Sequence, residues 1–399
     1  MRKNIITGVS LVALSAGMAQ AGGFELQTLD TSMMYADGNQ ASISYATIDA
    51  SIEGVNTLSA ASKKQVVKDQ TVTNLSAKFD VMDNLSVGLA TYRAGAIQLD
   101  GGNGENSSLN ITPKGDINLD SSALLARYNL NENLSFIGGI TNNQLKGGNV
   151  STLGGTYEVS GKSATGYVAG VAYSIPEIAL RAELVYQPKT KISTKTSIAV
   201  TDLSACGYLA AINNPICSTP NDPLHDVTVA ATRAGLASPA AATELALPDT
   251  LAFNFQSGIA ENTLLTGSYR KASWGKAQIN ITHPVAPIAT AFSDSEAYSV
   301  GLARRFTDKL SASITYSKEE GSSAPATSLF TVSNGSEAIS LGVRYTNENM
   351  TISGGISQRS VGDVTVDPGF SATNPYFGSK MKYTGNTVTS MGVKISFAF

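Results

Sequence analysis

The feature that most limits what this chain can fold into is a two-residue alternation that keeps restarting. It is visible in Leu85-Ser86-Val87-Gly88-Leu89, Leu134-Ser135-Phe136-Ile137-Gly138, Leu310-Ser311-Ala312-Ser313-Ile314 and Met350-Thr351-Ile352-Ser353-Gly354. Successive side chains of a strand point to opposite faces, so each run builds one apolar face and one polar or small face. The runs pivot on short turns rich in Asn, Asp, Glu or Pro, at 80–84, 129–133, 174–177, 260–262, 307–309 and 346–349. Longer polar connections fall between them, at 54–70, 99–118, 142–160, 191–248, 280–293, 319–335 and 360–383. Six short turns and seven long loops join 14 strands.

Short and long connections that alternate along an all-β chain predict a transmembrane antiparallel β-barrel. Such barrels have short periplasmic turns and long external loops. An even strand count puts both ends on the periplasmic side. A soluble β-sandwich does not segregate its loops in this way. Composition agrees: charged residues are 15% of the 399, against roughly a quarter in soluble domains. Mean hydropathy is neutral, so apolar residues are dispersed and not gathered into helical spans. The net charge of −3 leaves no basic footprint for nucleic acid.

The first 21 residues, MRKNIITGVSLVALSAGMAQA, carry Arg2 and Lys3, a short apolar stretch and an Ala19-Gln20-Ala21 cleavage site. This predicts a secretory signal peptide over 1–21. Residues 22–40 then form a short N-terminal lumenal segment, and 41–399 the barrel, with its longest external loop at 191–248. Cys206 and Cys217 both lie in that loop. In an oxidising compartment they are expected to close a small disulfide loop. Only His225 is near them in sequence, which disfavours a metal site.

The chain finishes NTVTSMGVKISFAF, with the alternation running to Phe399. In a closed barrel the last strand pairs with the first. Phe399 is then expected at the boundary between lipid and periplasm, where aromatic girdles sit.

Alternation also assigns faces. Leu180, Ala182, Leu184 and Tyr186 read as lipid-facing, so Arg181 and Glu183 point inward. The same reasoning turns Lys78, Arg127, Arg270, Arg344, Arg359 and Lys394 inward. A charge on the lipid face near the midplane costs about 2–4 kcal/mol. Seven inward bases against one acid would attract a carboxylate or another anion. An ordinary solvated lumen carrying arginines fits the same residues. In the third strand, continuing the register of Leu85, Val87 and Leu89 would put Arg93 and Gly95 outward. Either a bulge or inward kink at Arg93–Gly95 relieves this, or Arg93 sits at the outer interface and snorkels.

Several stretches resemble the outer-membrane long-chain fatty acid transporters, the FadL family, with their aromatic-hydrocarbon relatives. GGFELQTLDTS resembles the family's mature start. ISYATIDASIEG, from Ile43 to Gly54, resembles its first strand. The most specific stretch is ELALPDTLAFNFQSGIAENTLLTGSYRKASW, Glu244 to Trp274, which resembles its Leu-Pro hairpin after the longest loop.

The resemblance implies passive movement of a hydrophobic small molecule, without cofactor or nucleotide. An external groove would feed a lumenal pocket. A plug, or hatch, would lie inside the barrel, and a third-strand kink would open sideways into outer-membrane lipid. It also implies the outer membrane of a Gram-negative bacterium, and a C-terminal Phe399 read by the barrel assembly machinery. Arg127, Arg181, Arg270 and Arg344 would then be lumenal anion-attracting groups, and Arg93 and Gly95 the kink. Leu236, Leu245 and Leu247 would be groove residues. Gly22 to Gln40 lacks the family's Asn-Pro-Ala hatch motif, so the plug is expected to be short.

A general or anion-selective porin is the alternative function. An enzyme is disfavoured, because the two histidines, His225 and His283, fall in external loops. Adhesion through those loops remains open as a secondary role.

Overall fold

A computed structural model describes residues 19–21, 24–57, 62–63, 65–101, 112–152, 155–199, 241–281, 288–368 and 380–399. The expected signal peptide lies outside these residues, apart from Ala19–Ala21. So do Cys206, Cys217 and Leu236.

The barrel is a closed antiparallel sheet of 14 strands. In chain order they are β1 (Gln40–Ser51), β2 (Gln70–Met82), β3 (Leu85–Asp100), β4 (Lys114–Asn129), β5 (Leu134–Thr152), β6 (Lys162–Ile175) and β7 (Leu180–Gln187). They continue with β8 (Thr250–Ala260), β9 (Thr263–Ala272), β10 (Ser295–Arg305), β11 (Leu310–Glu319), β12 (Ser336–Asn347), β13 (Met350–Val361) and β14 (Thr387–Ala398). Each pairs with the next, and β14 closes the ring on β1, from Thr387↔Ser51 to Ala398↔Gln40. Closure removes sheet edges, which lipid cannot satisfy.

All six short turns fall where the sequence placed them. Several use residues that tolerate the left-handed region or gain a local hydrogen bond. Asn262 has φ 58° in the β8–β9 turn. Asn131 Oδ1 accepts from the backbone N–H of Asn133 and of Leu134, at 2.9 and 2.8 Å. The side chains assigned to lipid form the outer surface: Leu89, Leu124, Ile140, Leu184, Val300, Ile314, Leu341 and Val393 are all exposed. Aromatics gather near the periplasmic turns, among them Phe79, Tyr128, Phe136, Tyr173, Tyr345 and Phe399. Phe79 and Phe399 meet edge-to-face at 5.9 Å, and the Phe399 N–H donates to Asn39 O at 3.1 Å.

Two expectations about loops need correction. Residues 142–160 are not a loop. β5 runs on to Thr152, and Gly155–Val159 returns along it as a hairpin. Leu145, Val150, Tyr157 and Val159 are the buried face of that hairpin, while the Asn and Gly residues that suggested a loop lie between them. The end of the connection at 191–248 is likewise not a loop where it is described. Ala241–Leu247 is a strand paired with Thr190–Ala199, because alternate residues there have a buried face to fill.

These hairpins belong to an apolar cap over the outer end of the barrel. A small sheet formed by Gly54–Asn56, Ser62–Lys63, Val364–Val366 and Met381–Tyr383 joins them. Loop residues such as Val66, Trp274, Phe330 and Tyr383 pack in one cluster with upper wall residues Ile48, Ile97, Leu119 and Val388. Trp274 and Phe292 stack edge-on at 5.4 Å.

Candidate functional site

Residues 27–39 run inside the barrel near its periplasmic end. A single turn of 3-10 helix, Ser32–Tyr35, forms there, with the Ser32 N–H held by Asp30 Oδ1 at 2.9 Å. Met33 and Met34 are buried and pack with Leu29 against Leu125, Ile137, Val168 and Val185 of the wall. Gly88 makes room for them, since a Cβ there would collide with Met34 Sδ. This segment lies where the sequence resemblance leads one to expect a hatch.

Charged wall residues hold the hatch. The carboxylate of Glu183 is 1% exposed and accepts three hydrogen bonds. Thr31 Oγ1 and Tyr35 Oη donate to it at 2.9 Å each, and Asn254 Nδ2 at 3.1 Å. A buried carboxylate survives only with such partners. Burial, and next the charge of Glu183, push the Tyr35 hydroxyl well above its ordinary range, so it stays a neutral donor. On the other side, bases meet the hatch carbonyls. Arg127 Nη1 donates to Met34 O at 2.6 Å. Lys78 Nζ reaches Ala36 O at 2.8 Å and Gly38 O at 3.0 Å, and pairs with Asp80 at 2.6 Å. Two guanidiniums lie against the Tyr35 ring, Arg181 at 4.1 Å and Arg127 at 4.7 Å from its centroid.

Between hatch and cap lies a lumenal cavity of about 400 Å³. Its wall carries hydroxyls that pair across strands: Ser42 with Ser396 at 3.0 Å, Ser268 with Ser299 at 2.7 Å, Ser340 with Ser357 at 3.0 Å. Arg181, Arg270 and Lys394 are its basic members. The four candidate arginines do not converge. Arg127 and Arg181 meet at Tyr35. Arg270 lies near the outer end of β9, in the same barrel quarter as Glu319 and Arg359. Arg344 stands near the periplasmic end of β12, opposite Ser311 and Ser353. Leu245 and Leu247 are buried in the cap, and do not line an open external groove.

The wall is interrupted between β2 and β3. Among the described residues their ladder stops at Ser76↔Ala90. Beyond it the Leu75 N–H donates to Thr91 Oγ1 at 3.0 Å. β3 then shifts register against β4 between Arg93 and Gly95. Its freed edge takes up the backbone of Phe24–Leu26, with Leu26 opposite Gly95. The wall recloses where the Lys68 N–H donates to Gln98 O, beside the Val67↔Leu99 bridge. At about 3.3 Å per residue the unpaired stretch of β2, Gln70 to Leu75, spans roughly 17 Å. Arg93 is intermediate in exposure, 3.5 Å from Asp120, which Lys146 also approaches at 3.7 Å. The Gln70 amide and Asn74 Oδ1, at this aperture, are buried without a hydrogen-bond partner among the described residues.

Sequence reasoning placed Glu183 and Lys78 inward but gave them no role, and it missed Thr31, Tyr35, Asn254, Gln70 and Asn74. A lone acid among seven inward bases was the available signal for Glu183.

These features define a transmembrane barrel with a short segment inside the lumen near one end, an apolar cap at the other and a break in the wall's hydrogen-bond ladder between β2 and β3. No family model matches the chain, and no curated protein matches its sequence. Solved structures match nearly all of it. A FadL homologue from Pseudomonas aeruginosa shares 12% identity with a TM-score of 0.72, over 92% of each chain. The P. putida toluene transporter TodX shares 11% at 0.58, over 92% of each. The monoaromatic hydrocarbon channel CymD shares 12% at 0.54, over 91% of this chain and 89% of its own. The chain has the fold of these FadL-type barrels. Its structural neighbours are transporters and channels.

Proposed function

We propose that this barrel is a passive conduit for hydrophobic molecules across the outer membrane, with long-chain fatty acids as the leading substrate class. The observation that carries the reading is the aperture between β2 and β3. A lumen with an apolar cap above and a hatch below needs a third way out, and a side opening toward lipid suits a molecule that prefers lipid to water. Two of the similar solved structures are a toluene transporter and a monoaromatic hydrocarbon channel. Two features favour a substrate with a polar head: the buried, unpartnered Gln70 and Asn74 beside the aperture, and the basic groups on the cavity wall. An unpaired buried amide costs about 1–3 kcal/mol, which a head group with hydrogen-bonding capacity would recover. Arg181 and Arg270 are the lumenal groups that would attract a carboxylate, and Arg93 and Gly95 frame the opening.

The test is uptake of labelled long-chain fatty acid by cells that lack their own transporter and express this protein, with single-channel conductance recorded on the purified barrel. Uptake with little conductance is expected. A large steady conductance without uptake would instead identify a porin, a reading favoured by the hydroxyl-rich wall of the lumen.

A further inference from the structure

A second cavity, of about 230 Å³, lies at the periplasmic mouth beside Tyr35. The β4–β5 turn, the β6–β7 turn and Tyr35 form its walls. Its charged groups are Arg127, Arg181 and Glu132, a net positive set, and the remaining lining mixes Asn, Ser and Gln with Leu134, Pro176, Ala179 and Leu180. Arg181 and Gln256 are the two residues that line both cavities. Gln256 Nε2 is engaged, donating to Ala179 O at 3.2 Å. Arg181 is not. Its guanidinium lies on the Tyr35 ring, and it makes no hydrogen bond or ion pair with any described residue. Stacking leaves the edge of a guanidinium free, with its N–H fork shaped to take a carboxylate in two parallel bonds.

We propose that this vestibule is a periplasmic-side binding site for the carboxylate head of a hydrophobic acid, with Arg181 as the binding group and Arg127 as the second cation. The proposal rests on the reading of the barrel as a conduit for hydrophobic molecules. One guanidinium that reaches both cavities lets the head move between them without losing its counter-charge, which avoids the cost of an unpaired carboxylate inside the barrel. Uncharged hydrophobic molecules gain nothing from this site.

Octanoate is a suitable probe, with octanol as its uncharged counterpart, titrated calorimetrically into the full chain in detergent. Arg181→Gln is expected to weaken octanoate at least tenfold and to leave octanol unchanged, while Arg181→Lys keeps part of the affinity. Two variants address the vestibule alone. Asn131→Asp keeps an oxygen to cap the turn and adds a negative charge, and is expected to weaken octanoate at least threefold. Glu132→Gln is expected to strengthen it. Retention of the compact, heat-modifiable gel band reports that each variant is folded. If Arg181→Gln has no effect, the proposal is overturned. It is equally overturned if Arg181→Gln weakens octanoate but neither vestibule variant alters it, because the head is then held on the lumenal side. Cells that show no fatty-acid uptake while this binding pattern holds would sink the transport reading and leave the site standing.

Discussion

At the scale of single residues the molecule turns on Glu183. Its carboxylate holds two hatch hydroxyls and a wall amide at once, so the hatch is tied to β7 and β8 through one buried group. Glu183→Gln removes the charge and one acceptor oxygen. Hydrogen bonds to a charged group contribute about 1.5–3 kcal/mol, so hatch opening is expected to rise at least tenfold. Hydrogen exchange at Met33–Ala36 would show it, and unchanged protection there would count against the role of Glu183. Gly88→Val is expected to displace Met33 and Met34 and loosen the same segment, with the outer barrel unaffected. Of the candidate residues, Arg127 and Arg181 share a site and Arg270 and Arg344 do not. Alternation tells which face a side chain takes but not its height or its neighbours around the ring. Those follow from register, which no local pattern prints. Tyr35 was illegible for a related reason: its partners are more than 90 residues away in sequence, and nothing around it marks a lumenal position.

At the scale of elements, β3 sets the behaviour of the wall. The register shift between Arg93 and Gly95 turns its upper half away from β2. Deleting Ala94 is expected to let β3 run as a regular strand and pair with β2 past Ala90. Fatty-acid uptake should then fall at least tenfold with barrel stability unchanged or raised. Uptake at the original rate would show that the aperture is not the route. The conflict in this strand was legible, since Arg93 in a lipid-facing register demanded some relief. Whether bulge or snorkelling supplied it was not, because both keep the same residues in the same order. The six short turns were legible because their Asn, Asp and Pro residues interrupt an alternating pattern. The hairpin at 142–160 was not, since a strand edged with Asn and Gly reads as a loop until a buried partner for Leu145, Val150 and Tyr157 is known.

At the scale of the whole molecule, the cap and the hatch lie at opposite ends of the lumen. The intact protein is expected to show little steady conductance in a planar bilayer. Removal of residues 27–36 should raise it to that of an open lumen, and a large conductance before removal would mean the hatch does not obstruct the lumen. The hydroxyl pairs of the wall bear on speed. Ser42 with Ser396, Ser268 with Ser299 and Ser340 with Ser357 each share one hydrogen bond across neighbouring strands. A wall of hydroxyls held to one another in this way is wettable yet grips an acyl chain weakly, and a chain molecule sliding along it meets a surface of low friction.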